Sequence, residues 1–316
     1  MLHWNGHECG DANFNSLSDF DAVVDPSFAA NNGQHYTTIA AAIAAGAENI
    51  AVAIGQSTES LTITTDNVRI VGLNPTENST HAACLKKLTI DASYVTVENM
   101  LIAGAVGNVV TISGGSREVR MRRVNVISPS TNGFYIEPDQ WGVYLDECSV
   151  KYAGNGFYIG APTGSEEMGE IFLSHCRARY NTSAGFRIMS NSTAGTGDVI
   201  EAALDHCYAE NNVLGASASS GFSIGGNIDA TFVGCRSIDN SQGTASATGF
   251  YVVAPVSGRA LNLTACTSKN NDTGFSLTAA SAAVVLLGNK SINDTTGYVN
   301  AGSSPGYVTT NTNLTI

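Results

Sequence analysis

Apolar residues recur in one fixed frame along most of the chain. Two apolar positions lie two residues apart, a third follows after three residues, and a fourth after two more, as in Val143-x-Leu145-x-x-Cys148-x-Val150. The third position of successive copies is Met100, Val124, Cys148, Cys176, Cys207, Cys235, Cys266 and Asn289. The copies are 23 to 31 residues apart. A repeat of this length is typical of solenoids, in which each repeat buries its apolar face against its neighbours.

The spacing inside the frame predicts strands and not helices. Residues two apart lie on one face of a strand, and the gap of three requires a two-residue turn before alternation resumes. A Gly-aromatic pair follows each copy of the frame from Val124 onward, at Gly133, Gly156, Gly185, Gly221, Gly249, Gly274 and Gly297. We expect these glycines to supply the positive φ of a corner. The pattern predicts an all-β fold, a single-stranded parallel β-helix with three strands per coil and about ten coils.

The patterns divide the chain into four segments. We expect an N-terminal anchoring or capping segment over residues 1–20, a module with a cap helix and the first coil over 21–72, the parallel β-helix over 73–296, and a strand-like cap or oligomerisation segment over 297–316. The Ala-rich run 36–46 ends at a glycine and predicts the short N-terminal capping helix. A helix there would cover the open edge of the first coil.

The N-terminal module resembles the first part of the right-handed β-helices of the pectate-lyase-like superfamily. The resemblance lies in the run AVVDPS…YTTIAAAIAAGAENIAVAIGQSTESLTI…VRIVG. The superfamily includes pectin methylesterases, polygalacturonases and the tailspikes of bacteriophages, so the resemblance implies a right-handed coil but no single activity. None of the catalytic motifs of its pectinesterases, polygalacturonases or pectate lyases appears in the sequence, and the resemblance therefore assigns no active site.

The charge balance excludes some partners. The chain carries 15 Lys and Arg against 27 Asp and Glu, a net charge of −12. This balance argues against nucleic-acid binding, which needs a basic face, and it also disfavours an anionic polysaccharide. No apolar run approaches the length of a membrane span, and the first residues lack the pattern of a signal peptide. We expect no membrane insertion and no export by the ordinary route.

Five of the seven cysteines, Cys148, Cys176, Cys207, Cys235 and Cys266, occupy the same frame position. We expect them to be stacked, buried free thiols, one per coil, about 4.8 Å apart. Reduced thiols fit assembly in a cytosol. His3, His7, Cys9 and Asp11 match no known metal-ligand spacing, so we expect no metal and no cofactor.

Acidic residues cluster where coils lengthen. The longest connections hold Glu166, Glu167, Glu170, Asp198 and Glu201, and the preceding coil contributes Glu137 and Asp139 beside Trp141. Glu137, Asp139, Glu166, Glu167 and Asp198 are candidate catalytic residues, because glycoside hydrolysis requires two carboxyl groups. The alternative is that these carboxylates are solvated surface groups without a catalytic role.

A second candidate surface consists of the outward residues next to the core phenylalanines. Tyr135, Tyr158, Arg187 and Tyr251 fall at this position in four coils. With Trp141 they form a candidate glycan-binding or interface surface, because aromatic rings offer rigid area with a polar tip. Ordinary cross-strand stacking is the alternative.

We expect a virion surface protein, a phage tailspike-like or capsid-decorating β-helix. It would be assembled in the host cytoplasm as a homotrimer with other virion proteins and would recognise a host-surface polysaccharide or reinforce the particle. A polysaccharide depolymerase that uses the loop carboxylates and a non-viral structural β-helix are the alternatives. Binding is expected ahead of catalysis because the enzymatic motifs are missing.

Overall fold

The structure is a computed structural model. It describes residues 19–27, 33–53, 55–56, 59–73, 83–104, 106–127, 129–160, 168–190, 200–212, 219–226, 228–240, 247–253, 260–278, 283–300 and 314–315. Its strands form three long sheets in which every pairing between neighbouring strands is parallel. The chain visits the three sheets in turn, so the predicted parallel β-helix with three strands per coil is confirmed.

Sheet 1 contains twelve strands and begins each regular coil. In spatial order its strands are His35–Tyr36, Ala22–Val24, Asn49–Val52, Arg69–Gly72, Thr96–Glu98, Arg117–Arg122, Trp141–Asp146, Met168–Ser174, Ile200–Asp205, Ile228–Val233, Ala260–Thr264 and Ala283–Leu287.

Sheets 2 and 3 follow sheet 1 within each coil. The eleven strands of sheet 2 are Gly55–Gln56, Ala83–Leu85, Leu101–Ala103, Asn125–Ile127, Ser149–Lys151, Arg177–Arg179, Tyr208–Glu210, Arg236–Ile238, Thr267–Lys269, Lys290–Ile292 and Leu314–Thr315. The ten strands of sheet 3 are Ser60–Ile63, Lys87–Ile90, Val110–Ile112, Asn132–Ile136, Asn155–Ile159, Phe186–Met189, Ser219–Gly225, Ala247–Val253, Thr273–Thr278 and Thr296–Asn300.

The regular part of the solenoid comprises about eight turns, slightly fewer than the ten expected. These turns run from the strand Thr96–Glu98 to the strand Thr296–Asn300, and each contains one copy of the apolar frame. The strands of 49–63 and 69–90 precede them without the frame. The number of copies of the apolar frame therefore equals the number of regular turns, and the earlier strands of the three sheets lie outside it.

The predicted capping helix is present as Ile39–Ala44. The Thr38 side chain accepts a hydrogen bond from the N–H of Ala41, and the Glu59 carboxylate accepts bonds from the N–H groups of Ile39 and Ala40. These contacts satisfy N–H groups that the first helical turn leaves without partners. Ile39 is buried against the first coil. The described part of the chain contains no helix long and apolar enough for a membrane crossing.

Two columns of stacked side chains run through the interior, among the other apolar residues of the core. One is a continuous stack of rings, with centroids 4.6 to 4.9 Å apart, formed by Phe134, Phe157, Phe186, Phe222, Phe250, Phe275 and Tyr298. The other is the Cys ladder, Cys148, Cys176, Cys207, Cys235 and Cys266, whose members are free and fully buried. Each thiol donates to a backbone carbonyl 3.4 to 3.5 Å away. The predicted thiol stack is confirmed, and burial raises the pKa of the Cys148, Cys176 and Cys207 thiols well above the ordinary range of a thiol.

The corner between sheets 1 and 2 is made by the residue before each ladder position. In eight successive coils this residue has φ between 49° and 64°. The eight residues are Asn99, Arg123, Glu147, His175, His206, Gly234, Ala265 and Gly288. A left-handed residue reverses the facing of the side chains, so the residue after it points into the core. Glu147, His175 and His206 lie in this turn as the frame predicts.

The glycines of the Gly-aromatic pairs do not make a corner, and this prediction was wrong. Six of them lie inside sheet 3 strands and Gly185 directly precedes one, and none is among the positive-φ residues of the described chain. A Cβ at Gly133 would lie 2.3 Å from a Val150 methyl, and one at Gly221 would lie 2.1 Å from Ser237 Oγ. Glycine is needed because sheets 2 and 3 approach too closely here for any side chain.

A buried polar ladder supports the corner between sheets 2 and 3. It consists of Asn181, Asn212, Asn240 and Asn271, each five residues after a ladder cysteine, and it ends at Asp294. The side-chain oxygens of Asn212, Asn240 and Asn271 each accept bonds from the backbone N–H and the side-chain amide of the preceding member. This Asn ladder satisfies backbone groups that the corner removes from the sheets.

Candidate functional site

The outer face of sheet 1 presents two adjacent rows of side chains from successive coils. One row, called the aromatic row after Tyr144 and Phe172, consists of residues that pair in register: Arg120, Tyr144, Phe172, Ala203 and Thr231. An acidic row beside it contains Glu118, Glu170, Glu201 and Asp229. Because parallel strands keep one register, side chains of one type stand about 4.8 Å apart along the solenoid axis.

A backbone irregularity directs the acidic row at its N-terminal end. Glu118, Gly142 and Glu170 have φ of 54°, 71° and 56°, and the strand containing Glu170 shifts register between Met168 and Ile171. A bulge of this kind re-aims a side chain. Glu170 thereby comes within 3.5 Å of the Tyr144 hydroxyl, which donates to it.

The aromatic row begins with a three-layer stack. The Tyr144 and Phe172 rings lie 5.4 Å apart with an angle of 5° between their planes. The Arg120 guanidinium lies 4.4 Å from the Tyr144 ring centroid and pairs with Glu118 at 3.0 Å. Phe172 is 43% exposed, whereas the other phenylalanines among the described residues are buried. Arg120 and Tyr144 thus support an open phenyl ring from one side.

A surface depression of about 340 Å³ lies on the other side of that ring. The small side chain of Ala203 follows Phe172 in the row and leaves the space, and the carboxylates of Glu170, Glu201 and Asp229 line it. Glu201 and Asp229 are direct register partners. Adjacent like charges are unfavourable in a sheet, and a ligand that donates hydrogen bonds to both carboxylates would relieve this cost.

Tyr144 keeps its proton over a wide pH range. Partial burial raises the pKa of its phenol, and the negative charges of Glu118 and Glu170 raise it further, whereas Arg120 opposes them. The hydroxyl therefore remains a hydrogen-bond donor at the edge of the depression. Among the described residues, no group of His, Cys, Asp or Glu has the arrangement of a metal site.

The predicted catalytic residues divide into two groups. Glu137 and Asp139 lie at the corner that leads from sheet 3 into sheet 1, and Asp139 has φ of 67°. Glu166, Glu167 and Asp198 lie outside the described residues, so a carboxyl pair formed with them stays a prediction. Glu170 and Glu201, expected in loops, belong to sheet 1 strands instead.

Trp141 also lies in sheet 1 and is half-buried. A Cβ on Gly169 of the next coil would fall 2.4 Å from the indole ring, so the ring covers the glycine backbone. This packing gives Trp141 a structural contact and removes part of its surface from a ligand.

The predicted aromatic strip on sheet 3 is a stacked row. The Tyr135 and Tyr158 rings are 5.4 Å apart, and the Arg187 guanidinium lies 5.3 Å from the Tyr158 ring. Tyr251 lies beyond Ser223 in the same row and does not extend the stack. All four are half-buried. Burial raises the pKa of Tyr135, with smaller contributions from Glu137 and Tyr158.

Comparisons with known proteins define the class by architecture. No protein-family model and no curated protein matches the sequence. Among solved structures, the chain is similar to a pectate lyase, with 13% identity, a TM-score of 0.55 and coverage of 90% of this chain and 78% of the lyase. It is also similar to a rhamnogalacturonan lyase, with 12% identity, a TM-score of 0.54 and coverage of 86% and 74%.

At these identities the comparisons establish the fold alone. The protein is a parallel β-solenoid with the architecture of the right-handed β-helix enzymes, and the predicted resemblance to pectate-lyase-like β-helices is confirmed. The resemblance to bacteriophage tailspikes stays a prediction. One fold of this kind hosts many functions, so function must be argued from the side chains on its surface.

Proposed function

We propose that the protein binds a polysaccharide across the outer face of sheet 1. The observation that carries this proposal is the open Phe172 ring, held against Tyr144 beside a depression lined by Glu170, Glu201 and Asp229. An exposed aromatic ring next to hydrogen-bond acceptors matches the two faces of a sugar, whose C–H surface is apolar and whose rim carries hydroxyl groups.

Each part of the site has a separate task. The Phe172 ring supplies apolar area at low conformational cost, because an aromatic side chain has few rotatable bonds. Ionised carboxylates act only as acceptors, and hydrogen bonds to them are stronger than those between neutral groups. Sheet 1 keeps the same register over many coils, which suits an extended polymer better than a compact ligand.

The test is the affinity of the purified protein for a panel of neutral and host-surface polysaccharides, measured by calorimetry or affinity electrophoresis. Phe172→Ala should raise the Kd for the best ligand by roughly tenfold or more, the effect expected of a central aromatic contact. Val233→Ala is a matched control, because Val233 is 37% exposed on the same sheet outside the depression. Equal losses in both variants, or none in Phe172→Ala, would refute the site.

Cleavage of the polysaccharide is the second candidate function, and the register pairing of Glu201 with Asp229 favours it. Two carboxyl groups about 5 to 5.5 Å apart serve a retaining glycosidase as acid and nucleophile. The formation of reducing or unsaturated ends should then be lost in both Glu201→Gln and Asp229→Asn. Binding without either product would assign the site to recognition.

The biological setting is proposed on the sequence alone. A homotrimer on a virion surface, in contact with other virion proteins and a host-surface polysaccharide, fits a rigid solenoid that presents a long binding face. The molar mass of the purified protein in solution, measured by light scattering, tests directly whether it is a trimer. A monomer at micromolar concentration would contradict it.

A further inference from the structure

The outer face of sheet 2 is basic, although the net charge of the whole chain is negative. From the strand Ser149–Lys151 to the strand Lys290–Ile292, the outward positions hold six basic residues and one carboxylate. The basic residues are Lys151, Arg177, Arg179, Arg236, Lys269 and Lys290, six of the 15 in the whole chain. The carboxylate, Glu210, is already paired with Arg179 at 2.9 Å. An acidic protein therefore presents a locally positive sheet.

One row of this face is ordered by an aromatic ring. Arg177, Tyr208 and Arg236 are register partners in three successive coils. The guanidinium groups lie 5.5 and 5.8 Å from the Tyr208 ring centroid, one on each side. Such cation–π contacts restrain the two arginines, so less conformational entropy is lost when an anion binds.

Both guanidinium groups remain available to a ligand. Arg177 and Arg236 are exposed, and within the described ranges neither forms an ion pair with a carboxylate. A guanidinium fork binds a carboxylate or sulfate through two parallel hydrogen bonds. The row thus holds two oriented anion-binding groups with an aromatic ring between them.

The adjoining corner adds exposed aromatic surface. Tyr152 and Tyr180 are 54% and 37% exposed, and their rings are stacked 5.5 Å apart. Both adopt left-handed φ, at 64° and 56°, which costs roughly 1 kcal/mol or more for a residue of this type. The next coils place Asn211, Asp239 and Asn270 at the same corner, residue types that adopt this conformation readily. The two tyrosines are not explained by backbone geometry.

We propose that this basic face binds an anionic polysaccharide, a polymer with carboxylate or sulfate groups on its sugars. Arg177 and Arg236 are two coils apart, about 9.6 Å along the axis. That distance suits an extended glycan whose alternate sugars turn their acidic groups to the same side. The intervening sugar would lie over the edge of Tyr208, and a neighbouring part of the polymer would contact Tyr152 and Tyr180.

The charge density favours a polysaccharide over nucleic acid. Duplex DNA carries one negative charge per about 1.7 Å of axis, far denser than a row with one cation in every second coil. This basic face shares no residue with the sheet 1 depression, so the two sites are independent.

The test measures binding of the full chain to polygalacturonate and dextran sulfate, with neutral dextran and duplex DNA as comparison polymers. The double variant Arg177→Gln/Arg236→Gln should raise the Kd for the anionic polysaccharide by roughly 10- to 100-fold, because two charge-assisted contacts are lost. Arg69→Gln/Arg117→Gln removes the same charge from sheet 1 and should leave the Kd within about twofold. Binding should weaken as salt rises.

Three results would overturn the proposal: neither anionic polysaccharide binds more tightly than dextran, the two double variants lose affinity equally, or DNA alone depends on Arg177 and Arg236. The first result would show that the face does not bind anionic polysaccharides. The second would show that the loss of affinity reflects only the net charge of the protein. The third would show that the face binds nucleic acid. Val233→Ala, which lies in neither site, should leave anionic binding unchanged. The sheet 1 proposal is tested separately with neutral polysaccharides, so its failure would be recognised independently of this face.

Discussion

The side-chain amide of Asn212 donates to the side-chain oxygen of Asn240 at 2.9 Å, and the same oxygen accepts the backbone N–H of Asn212 at 3.0 Å. Both side chains are fully buried. A single oxygen from one coil therefore fixes both the backbone and the side chain of the coil before it. The arrangement couples neighbouring coils through polar groups that have no access to water.

Replacement of Asn240 by alanine should destabilise the protein by roughly 3 kcal/mol, because the N–H and amide of Asn212 would both be left buried without their acceptor. Asn262→Ala removes the same groups from the outer face of sheet 1 and should change stability by less than about 0.5 kcal/mol. Urea unfolding followed by circular dichroism compares the two. Equal midpoints for both variants would show that the Asn ladder contributes little.

The Gly-aromatic pairs predict a steric effect at Gly221. Gly221→Ala would place a methyl group 2.1 Å from Ser237 Oγ, and the required shift should cost about 1–3 kcal/mol. Gly114→Ala is the matched control, since its Cβ would meet only a carbonyl oxygen at 3.7 Å. The free energies of unfolding of the two variants provide the measurement. A tolerated alanine at Gly221 would mean that sheets 2 and 3 can separate at low cost.

The Cys ladder should be chemically inert in the native protein. Burial raises the pKa of the Cys148 and Cys176 thiols well above the ordinary range of a cysteine. These thiols therefore stay protonated, and only the thiolate is an effective nucleophile. Iodoacetamide at pH 8 should leave the five ladder cysteines unmodified, whereas the same reaction in urea should alkylate all of them. Peptide mass spectrometry reads both states. Rapid native alkylation at any ladder position would place that thiol outside the core.

Tyr298 gives a pH-dependent contribution to stability. Burial raises the pKa of its phenol to about 12, with a further contribution from the negative charge of Asp294. The phenol of an unfolded chain ionises near pH 10, so the contribution is present below about pH 10 and is lost as the pH rises towards 12.

Tyr298→Phe should therefore lose stability relative to the natural protein below pH 10, partly because the hydrogen bond to the Asn289 carbonyl is removed. The difference should narrow between pH 10 and 12. Thermal unfolding of both proteins across this range tests the prediction, and a difference that widens with pH would contradict it.

The repeat frame predicted the fold because period and facing are local properties of the sequence. Val143, Leu145 and Cys148 determine which way a strand and its corner turn without any knowledge of distant contacts. The Asn ladder was missed although it has a sequence signal, an Asn five residues after each ladder cysteine. Polar residues between strands look like ordinary loops until the register of the coils is known.

The candidate sites could not be predicted from the sequence for a different reason. The sequence places Tyr144 and Phe172 at outward positions, but only the register shows that their rings stack and that Ala203 leaves space beside them. The basic face was hidden because Arg177 and Arg236 lie 59 residues apart in a chain with a net charge of −12. Charge segregation between sheets is a property of the fold and not of composition.

The Asn ladder also gives the solenoid an electrical direction. Each amide oxygen points towards the preceding coil, and the amide nitrogen donates to the following member of the ladder as well as, from Asn212 onward, to a backbone carbonyl of the preceding coil. The side-chain carbonyl dipoles therefore add along the axis as peptide dipoles do in a helix. The positive end of this array meets Asp294, whose carboxylate accepts from Asn271 and from the Ser291 hydroxyl. A half-buried carboxylate therefore lies at the positive end of the dipole array and offsets its charge.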